Sequence, residues 1–333
     1  MRAVGRCQRK RHSHSSFQKA SSANKPLTLA YALKSFVGYL EGTEKSAHTI
    51  KNYKSDLVSF QNYLEKGLGS APVALAEVNY DDLERYHEFL KAEGLKTNTR
   101  RRKVLTVRRM LKYLTLRNKL TLDVGRKIPA PQKIERIPLT VSYSDLLQAV
   151  RKLPADVEIQ ARNRALLWTL VETGCLVSEV TPLRFEDWKV LPREQSEIDV
   201  PPAYYVTFGG KAARAVPVSS DLYQEIERLR IKAGERQPIF LGFNKFGSLG
   251  APITARGIEM LVKSYAPRLG FEILTPRTFR HTAVIEWFKS GLSRAEIQKR
   301  LGLKTDYAFR TYDPVFKSMK KTTSISEKSQ PES

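Results

Sequence analysis

The chain has 333 residues, about two domains of ordinary size, and its apolar content of 41% is too high for a mainly disordered protein. The net charge of +23 indicates a polyanionic partner. Nucleic acid is the first candidate, because binding of a basic protein releases the counterions that surround the phosphates of the nucleic acid. A membrane surface is a weaker alternative. No apolar run approaches the roughly 20 residues that a membrane-spanning helix needs.

The cysteines and histidines argue against a disulfide framework and against a metal centre. Cys7 and Cys175 lie far apart and have no CxxC partner, so we expect a reduced, intracellular protein, with Cys175 in a core. We predict no metal site, because the five histidines form no zinc pattern. They are His12, His14, His48, His87 and His281.

Residues 1–25 contain seven Lys or Arg, several Ser and no acidic residue. This composition predicts a disordered basic tail that could touch DNA phosphates. A transit peptide has a similar composition and is the alternative, although no amphipathic apolar face is visible.

Residues 26–118 show the apolar periodicity of four amphipathic helices. Asn79 is placed to cap the third helix, with Asp81 and Asp82 in its first turn. The segment therefore predicts a four-helix bundle. The predicted inward residues are Leu29, Leu33, Phe36 and Leu40; Ile50, Tyr53, Leu57, Phe60 and Leu64; Leu83, Tyr86 and Leu90; and Val104, Val107, Leu111 and Leu114.

The fourth helix has an apolar face opposed by positive charge alone. Residues 94–118 contain nine basic residues and no acidic one. A solvated helix face usually mixes both signs of charge, so we interpret this face as one that contacts DNA phosphates or enters a groove. With two lysines of the second helix, the predicted DNA-binding residues are Lys51, Lys54, Arg101, Arg102, Arg108, Arg109 and Lys112.

A linker and a second domain follow the bundle. Residues 119–138 are rich in Pro and basic residues, which is typical of an interdomain linker. Residues 139–318 form the second domain, and residues 319–333 form a polar tail. Within the second domain, residues 204–208 and 214–218 alternate as two strands around the turn Gly209-Gly210-Lys211, which predicts a β-hairpin.

Residues 275–312 can be drawn as three short amphipathic helices that end at Tyr312. The first is predicted to stop at Gly291 and the second at Gly302. The predicted N-terminal caps are Thr278 for the first helix, Ser293 with Glu296 in a capping box for the second, and Thr305 for the third.

This spacing resembles the C-terminal half of the tyrosine recombinase (phage integrase) family. The family pattern is H-x-L-R-H-T, then L-G-H, then a nucleophilic tyrosine nine residues after that last histidine. Here the pattern stands as Arg277-Thr278-Phe279-Arg280-His281-Thr282, Leu301-Gly302-Leu303 and Tyr312. Residues 162–187 resemble the family's first motif, RN-x-ALL…TG-x-R-x-SE-x-x-x-L-x-x-x-D. The bundle resembles its core-binding domain, with Ser46, Thr49 and Tyr53 at equivalent places.

The resemblance implies a mainly α fold with a small antiparallel β-sheet. A four-helix, SAM-like core-binding domain would be followed by an α+β catalytic domain, and the linker would let the two close around duplex DNA as a clamp. It also implies a homo-oligomer, a tetramer on paired sites, or a hetero-assembly with another recombinase. We expect such a protein in the cytoplasm, associated with the nucleoid, and with no membrane partner.

The resemblance implies DNA cleavage without a cofactor, through a 3′-phosphotyrosyl intermediate. Tyrosine has a pKa near 10 and needs a base or electrostatic help. Arginines suit the phosphorane because a guanidinium forks onto two oxygens, and a lysine can protonate the leaving 5′-oxygen. By position, Tyr312 is the nucleophile, Arg280 the second arginine and Lys211 the general acid. His281 is predicted to be a structural hydrogen-bonding residue.

Three positions depart from the family pattern. Leu176 stands at the first arginine, Arg277 at the first histidine and Leu303 at the second histidine. Leu176 is the serious change, because an arginine on a phosphoryl transition state can be worth on the order of 10³–10⁵ in rate. We expect Arg277 to be the best substitute, since its position is already beside the scissile phosphate.

Three functions remain open on the sequence. One is a site-specific recombinase or integrase. A second is a catalytically impaired DNA-binding protein on the same fold that regulates or accompanies an active recombinase. A third is a nicking and closing activity similar to that of type IB topoisomerases, but the length and two-domain layout fit recombinases better.

Overall fold

The computed structural model describes residues 27–69, 72–121, 123–134, 137–191, 203–210, 213–233, 238–243 and 249–317. The predicted tails at 1–25 and 319–333 and the predicted general acid Lys211 lie outside these residues. The chain divides into two compact units, Met1–Ile134 and Glu135–Ser333, each with its own hydrophobic core. Among the described helices, none is both long and apolar enough to cross a membrane.

The first unit is the predicted four-helix bundle. Every predicted inward residue is buried except Ile50, which is partly buried against the same core. Asn79 and Asp82 form a capping box at the start of the third helix, as expected. The helices are α1 (Leu29–Glu41), α2 (Ala47–Leu68), α3 (Tyr80–Ala92) and α4 (Thr97–Leu116).

The second unit contains seven described α-helices around one core. They are α5 (Tyr143–Arg151), α6 (Glu158–Thr173), α7 (Val177–Val180), α8 (Ser220–Ala233), α9 (Ala255–Tyr265), α10 (Pro276–Lys289) and α11 (Arg294–Leu301). A 3₁₀ helix, Asp306–Tyr312, follows α11 and carries the predicted nucleophile.

The predicted hairpin forms with the predicted strand ends. In a three-stranded antiparallel sheet, Phe208 pairs with Arg214 and Tyr204 pairs with Val218. Because side chains alternate along a strand, Arg214 shares a face with the buried Val216. The strands are β1 (Trp188–Val190), β2 (Tyr204–Phe208) and β3 (Arg214–Val218), with a separate pair β4 (Leu241–Phe243) and β5 (Leu249–Pro252).

The C-terminal end of α6 lies against α10 with little space between them. Gly174 ends α6 with φ of 55°, a left-handed conformation that favours glycine. A Cβ at this position would lie 3.3 Å from Cβ of Ala283 and 3.5 Å from the Trp287 ring. Glycine therefore permits both the helix end and the close approach of α10.

Two predicted caps in the last segment differ from the structure. The prediction that Thr278 caps α10 is wrong, because Thr275 is the N-cap and its side chain accepts the Thr278 N–H at 3.2 Å. Pro276 then occupies the first helical position, where no backbone hydrogen bond is lost. Thr305 precedes the 3₁₀ helix, but its side chain makes no capping hydrogen bond. The capping box of α11 is confirmed.

Candidate functional site

Tyr312 lies in the interior of the second unit rather than on an exposed turn. Only 3% of its surface is exposed. Its hydroxyl lies 2.8 Å from Nδ1 of His281 on α10, and the two rings meet edge to face. Phe309 and Phe316 pack against its ring with centroid distances of 5.4 and 5.9 Å. The predicted nucleophile is therefore held by one hydrogen bond and an aromatic cluster.

Arg294 fastens both ends of the turn that carries Tyr312. Its Nε donates to Asp306 at 2.8 Å, and its Nη1 donates to Asp313 at 2.7 Å. These carboxylates stand at the first residue of the 3₁₀ helix and just after its last residue. The guanidinium also lies over the Phe309 ring, 4.7 Å from its centroid. This first residue of α11 thus positions the whole turn.

Burial and two arginines set the charge states of the Tyr312–His281 pair. Burial raises the pKa of Tyr312 to about 12, and the charges of Arg280 and Arg277 act in the opposite direction. Burial, together with the charges of Arg277 and Arg280, lowers the pKa of His281 to about 4. At neutral pH, Tyr312 therefore keeps its proton and His281 is uncharged.

Arg280 is buried, and helix ends hold its guanidinium. Its Nη1 donates to the carbonyl of Gly174 at 2.7 Å, and its Nη2 donates to the carbonyl of Leu301 at 3.1 Å. These carbonyls lie at the C-terminal ends of α6 and α11, where the helix dipole favours a cation. Burial lowers the pKa of Arg280, but an arginine starts high enough to stay charged.

Leu176 stands at the N-cap of α7 and is 43% exposed. Its backbone N–H donates to Oε2 of Glu179 at 2.7 Å. The helix therefore begins through a backbone contact that does not depend on the residue-176 side chain. The position predicted to have lost the first arginine is open to solvent and carries no charge.

A second buried guanidinium lies close to Arg280. Arg214 on β3 donates to both oxygens of Glu179 at 2.6 and 3.0 Å, and its side chain is only 3% exposed. Its Nε donates to the carbonyl of Arg300. Arg214 and Arg280 both act electrostatically on buried Cys175, which lies next to Leu176. Consecutive carbonyls at the end of α11 therefore hold the two arginines side by side.

The two substituted histidine positions lie in different surroundings. Arg277 is exposed in the first turn of α10, and its charge acts on both Tyr312 and His281. Leu303 is partly buried against the core of the second unit. Within the described part of the chain, no three His, Cys, Asp or Glu side chains come together as a possible metal site.

A cavity of about 440 Å³ lies between α2 and α4 of the first unit. Three of the predicted DNA-binding arginines line it, and each has a partner inside the unit. Arg101 donates to the Pro131 carbonyl at 2.6 Å, Arg102 pairs with Asp56 and Arg109 donates to the Tyr53 hydroxyl. The cavity is lined by Thr49, Asn52, Tyr53, Asp56, Asn98, Arg101, Arg102, Leu105, Thr106, Arg109 and Lys133.

Asp56 is a buried carboxylate that lines this cavity, with 1% of its surface exposed. Besides Arg102, it accepts from the Thr106 hydroxyl at 3.2 Å and lies 3.7 Å from Lys103 Nζ. Half of the Arg102 side chain remains exposed. Asp56 therefore orients an arginine whose other side faces solvent.

The other predicted DNA-binding residues do not line the cavity. Lys51, Lys54 and Lys112 are exposed. Arg108 is half-buried, and its backbone packs near Gly125 on another side of α4. The basic residues of α4 thus point to more than one side of the helix.

Sequence reasoning missed Arg214, Arg294 and Asp56. Arg214 could have been found from strand alternation, which places it on the same face as two valines. Asp56 lies three residues after Tyr53 on the inward stripe of α2, where an acid is unusual. Nothing in the local sequence indicates that Arg294 reaches Asp306 and Asp313.

Both units match known family models. Residues 33–118 match the phage integrase N-terminal SAM-like domain, and residues 141–318 match the phage integrase family itself. The chain belongs to the phage integrase family. Both the resemblance found in the sequence and the predicted fold class are confirmed.

Relatives of this phage integrase family chain include tyrosine recombinases of bacteria. The chain is 27% identical over 259 residues to tyrosine recombinase XerC of Staphylococcus haemolyticus, covering 77% of this chain and 82% of that protein. It is 28% identical over 282 residues to XerC of Herpetosiphon aurantiacus, covering 81% and 86%.

Solved structures of the family share the fold. The XerH site-specific recombinase bound to palindromic difH substrate, in a post-cleavage complex, aligns with a TM-score of 0.66 at 17% identity, covering 90% of this chain and 85% of that one. A lambda integrase dimer bound to a COC′ core site aligns with a TM-score of 0.62 at 16% identity, covering 86% and 77%.

Proposed function

We propose that this protein is a site-specific DNA strand transferase of the recombinase or integrase type. It binds duplex DNA through both units and cleaves and rejoins strands through a 3′-phosphotyrosyl link at Tyr312. The observation that carries this proposal is the hydrogen bond between Tyr312 and His281, with the charges of Arg280 and Arg277 acting on both groups. A hydrogen-bonded tyrosine and nearby guanidinium charge are two of the parts that phosphoryl transfer to a tyrosine requires.

The roles of the site residues follow from chemistry and position. Arg280 is fixed by two carbonyls and supplies positive charge where the phosphorane oxygens carry negative charge. Arg277 is exposed beside the same tyrosine and is our candidate for the missing first guanidinium. Lys211 is our candidate for the general acid on the hairpin. The proposed reaction requires no cofactor.

The partners follow from the family and from charge. Duplex DNA is the substrate, and the structural relatives include recombinases bound to DNA as dimers and tetramers. We propose that this protein also assembles as a homo-oligomer on paired sites or with another recombinase. We propose that it acts in the cytoplasm, in association with the nucleoid. We assign DNA contacts to the basic residues of α2 and α4, including those that line the cavity beside Asp56.

The test is covalent capture on DNA. Bound sequences are selected from a random duplex library, rebuilt as nicked suicide substrates and incubated with the protein. We expect a covalent adduct that Tyr312→Phe abolishes and that Tyr307→Phe, a change in the same turn, leaves intact. Tight binding with no adduct from the parent protein would reject strand transfer.

One observation favours a second function, that of a DNA-binding protein without cleavage activity. Leu176 places an exposed apolar side chain where the family has its first arginine. Because α7 is capped through the backbone, Leu176→Arg should fold normally. A large gain in adduct formation with this variant would show that the other groups suffice once the guanidinium is restored.

Arg277→Ala tests the proposed substitute. If Arg277 replaces the first arginine, this variant should lose adduct formation by at least about 10³-fold while binding DNA almost normally. Arg256, an exposed arginine paired with Glu259 on α9, is the matched control, and Arg256→Ala should have little effect. Full cleavage by Arg277→Ala would remove Arg277 from the site.

A further inference from the structure

The second unit has a single imidazole. Residues 135–333 contain His281 and no other histidine. The positions that hold histidines in the family pattern are Arg277 and Leu303, and neither can exchange a proton as imidazole does near neutral pH. Any imidazole that moves a proton in a site built by this unit must therefore be His281.

We propose that His281 is the general base that takes the proton of Tyr312 during strand cleavage. The proposal rests on the strand-transferase function proposed above. Its geometric basis is the 2.8 Å distance between the Tyr312 hydroxyl and Nδ1, which is within the range for direct proton transfer. In the neutral tautomer protonated at Nε2, Nδ1 carries the lone pair that accepts this hydrogen bond.

The helix backbone that carries His281 is anchored beside Tyr312. His281 follows Arg280 on α10, and Arg280 is fixed to the carbonyls of Gly174 and Leu301. Tyr312 is fixed from the other side by the aromatic cluster and by the Arg294 bonds at both ends of its turn. Both partners are therefore positioned before DNA binds, which lowers the entropy cost of the transfer.

The proposed step balances as follows. The O–H bond of Tyr312 breaks as its oxygen bonds to phosphorus, and the proton passes to Nδ1 of His281. The bond from phosphorus to the 5′-oxygen breaks, and that oxygen takes a proton from the general acid, for which Lys211 is the candidate. When a 5′-hydroxyl attacks the phosphotyrosyl link, its proton returns to the general acid as its oxygen bonds to phosphorus. The bond from phosphorus to the tyrosine oxygen breaks, and His281 returns its proton to that oxygen.

The base would gain strength when substrate binds. The charges of Arg277 and Arg280 disfavour protonation of His281 in the DNA-free protein. A phosphodiester bound by these arginines brings negative charge close to the imidazole and favours its protonated form. The pair is therefore weakly reactive without DNA and more reactive with it.

The decisive comparison uses two substitutions of one residue. His281→Asn keeps an acceptor oxygen close to the place of Nδ1 but cannot take a proton, and His281→Ala removes both. We expect both variants to form the Tyr312 adduct at least about 100-fold more slowly with unchanged DNA affinity. His281→Asn, which keeps an acceptor for the Tyr312 hydroxyl, should also keep the melting temperature of the parent protein. A wild-type rate of adduct formation in His281→Asn would reduce His281 to a positioning residue and overturn the proposal. Cleavage by His281→Ala at a rate above that of the wild type would also overturn it.

A substrate with sulfur in place of the bridging 5′-oxygen distinguishes loss of the general base from loss of the general acid. A thiolate leaves without protonation, so this substrate should restore cleavage to Lys211→Ala and leave His281→Asn slow. Restored cleavage by His281→Asn would place His281 on the leaving-group side and overturn its role as base.

A readout without cleavage uses the same full-length protein. Nitrogen-15 NMR of histidine-labelled protein should show His281 as the Nε2-protonated tautomer, with an Nδ1 shift that changes in Tyr312→Phe. An Nδ1-protonated tautomer would rule out the base. If the parent protein forms no adduct on any substrate, strand transfer and the base both fail, whereas normal cleavage by His281→Asn rejects the base alone.

Discussion

At the scale of single residues, Tyr312 is buried, and its hydroxyl is harder to ionise than that of a free tyrosine. Burial raises its pKa to about 12, and the nearby guanidinium groups oppose this only in part. A phenol with so high a pKa does not ionise by itself at neutral pH. As the proposed nucleophile, it would need help from neighbours while the bond to phosphorus forms, and His281 is the group in direct contact.

The depressed pKa of His281 predicts a pH-dependent stability. Between the unfolded pKa of 6.5 and the folded pKa of about 4, the unfolded chain binds a proton that the folded protein does not. The free energy of unfolding should therefore fall as pH is lowered through this window, by about 1 kcal/mol between pH 6.5 and 5 after allowance for solvent screening of a partly exposed ring.

Urea unfolding at pH 7 and pH 5 measures this effect. Carboxylates titrate in the same region, so His281→Asn serves as the control that lacks only the imidazole. The pH dependence of the wild type should exceed that of the variant. An equal change in the free energy of unfolding between pH 7 and pH 5 in the two proteins would mean that the pKa of His281 is not lowered in the folded protein.

At the scale of elements, helix ends build the site. Carbonyls at the ends of α6 and α11 bind the two buried arginines, and the first residue of α11 binds the tyrosine turn. Each of these carbonyls lies at a helix end and would otherwise lack an intrahelical partner. The geometry of the site therefore depends on where helices stop as much as on which side chains they carry.

Gly174 is the first such helix end to test. Gly174→Ala must adopt a positive φ and bring its Cβ within 3.3 Å of Ala283. We expect a loss of about 2 kcal/mol in the free energy of unfolding, measured by urea denaturation. Gly209→Ala, where a Cβ meets nothing within 4 Å, should be close to neutral. Similar losses in the two variants would contradict this explanation.

The Arg294 contacts predict which segment loosens when they are removed. Arg294 is 40% exposed, so its network with Asp306 and Asp313 should contribute about 1 kcal/mol to local stability. Arg294→Ala should then raise amide hydrogen exchange across residues 306–313 roughly fivefold and leave α6 unchanged. Arg256→Ala removes a comparable surface pair on α9 and should leave this turn protected. An unchanged turn in Arg294→Ala would show that aromatic packing alone holds it.

At the scale of the whole molecule, charge governs the encounter with DNA. The net charge of +23 attracts a polyanion such as DNA, but not every basic residue is available to phosphates. Asp56 neutralises part of the α2–α4 face, and the Arg214 charge is matched by Glu179. Counting Lys and Arg therefore overstates the number of phosphates that the protein neutralises.

Salt dependence tests this distinction. Lys51→Ala and Lys54→Ala should each weaken binding to all duplexes alike and reduce the slope of log K against log salt by about 0.9. Lys91 pairs with Glu88 on α3, so Lys91→Ala is the control and should leave the slope unchanged. A slope that responds equally to all three variants would mean that contact with DNA is spread over α3 as well and is not confined to the basic residues of α2 and α4.

The sequence predicted the helices and the hairpin because their apolar periodicity is strong, as in the buried stripe from Leu29 to Leu40. The family spacing predicts Tyr312 as the nucleophile, and this stays a prediction. The sequence could not place Arg214 on Glu179, because that contact joins residues 35 positions apart through tertiary packing. The α10 cap was missed although Pro276 marks the first helical position after Thr275.

Both ends of α11 make contacts with the site, so the length of this helix is constrained. Arg294 at its start and the Arg300 and Leu301 carbonyls at its end act on groups in three other elements. One inserted residue would rotate one end by about 100° relative to the other and lengthen the helix by about 1.5 Å. Exposed positions such as Lys299 are free to change for solubility or recognition. Insertions and deletions in α11 would instead separate Tyr312 from both guanidinium groups in a single event.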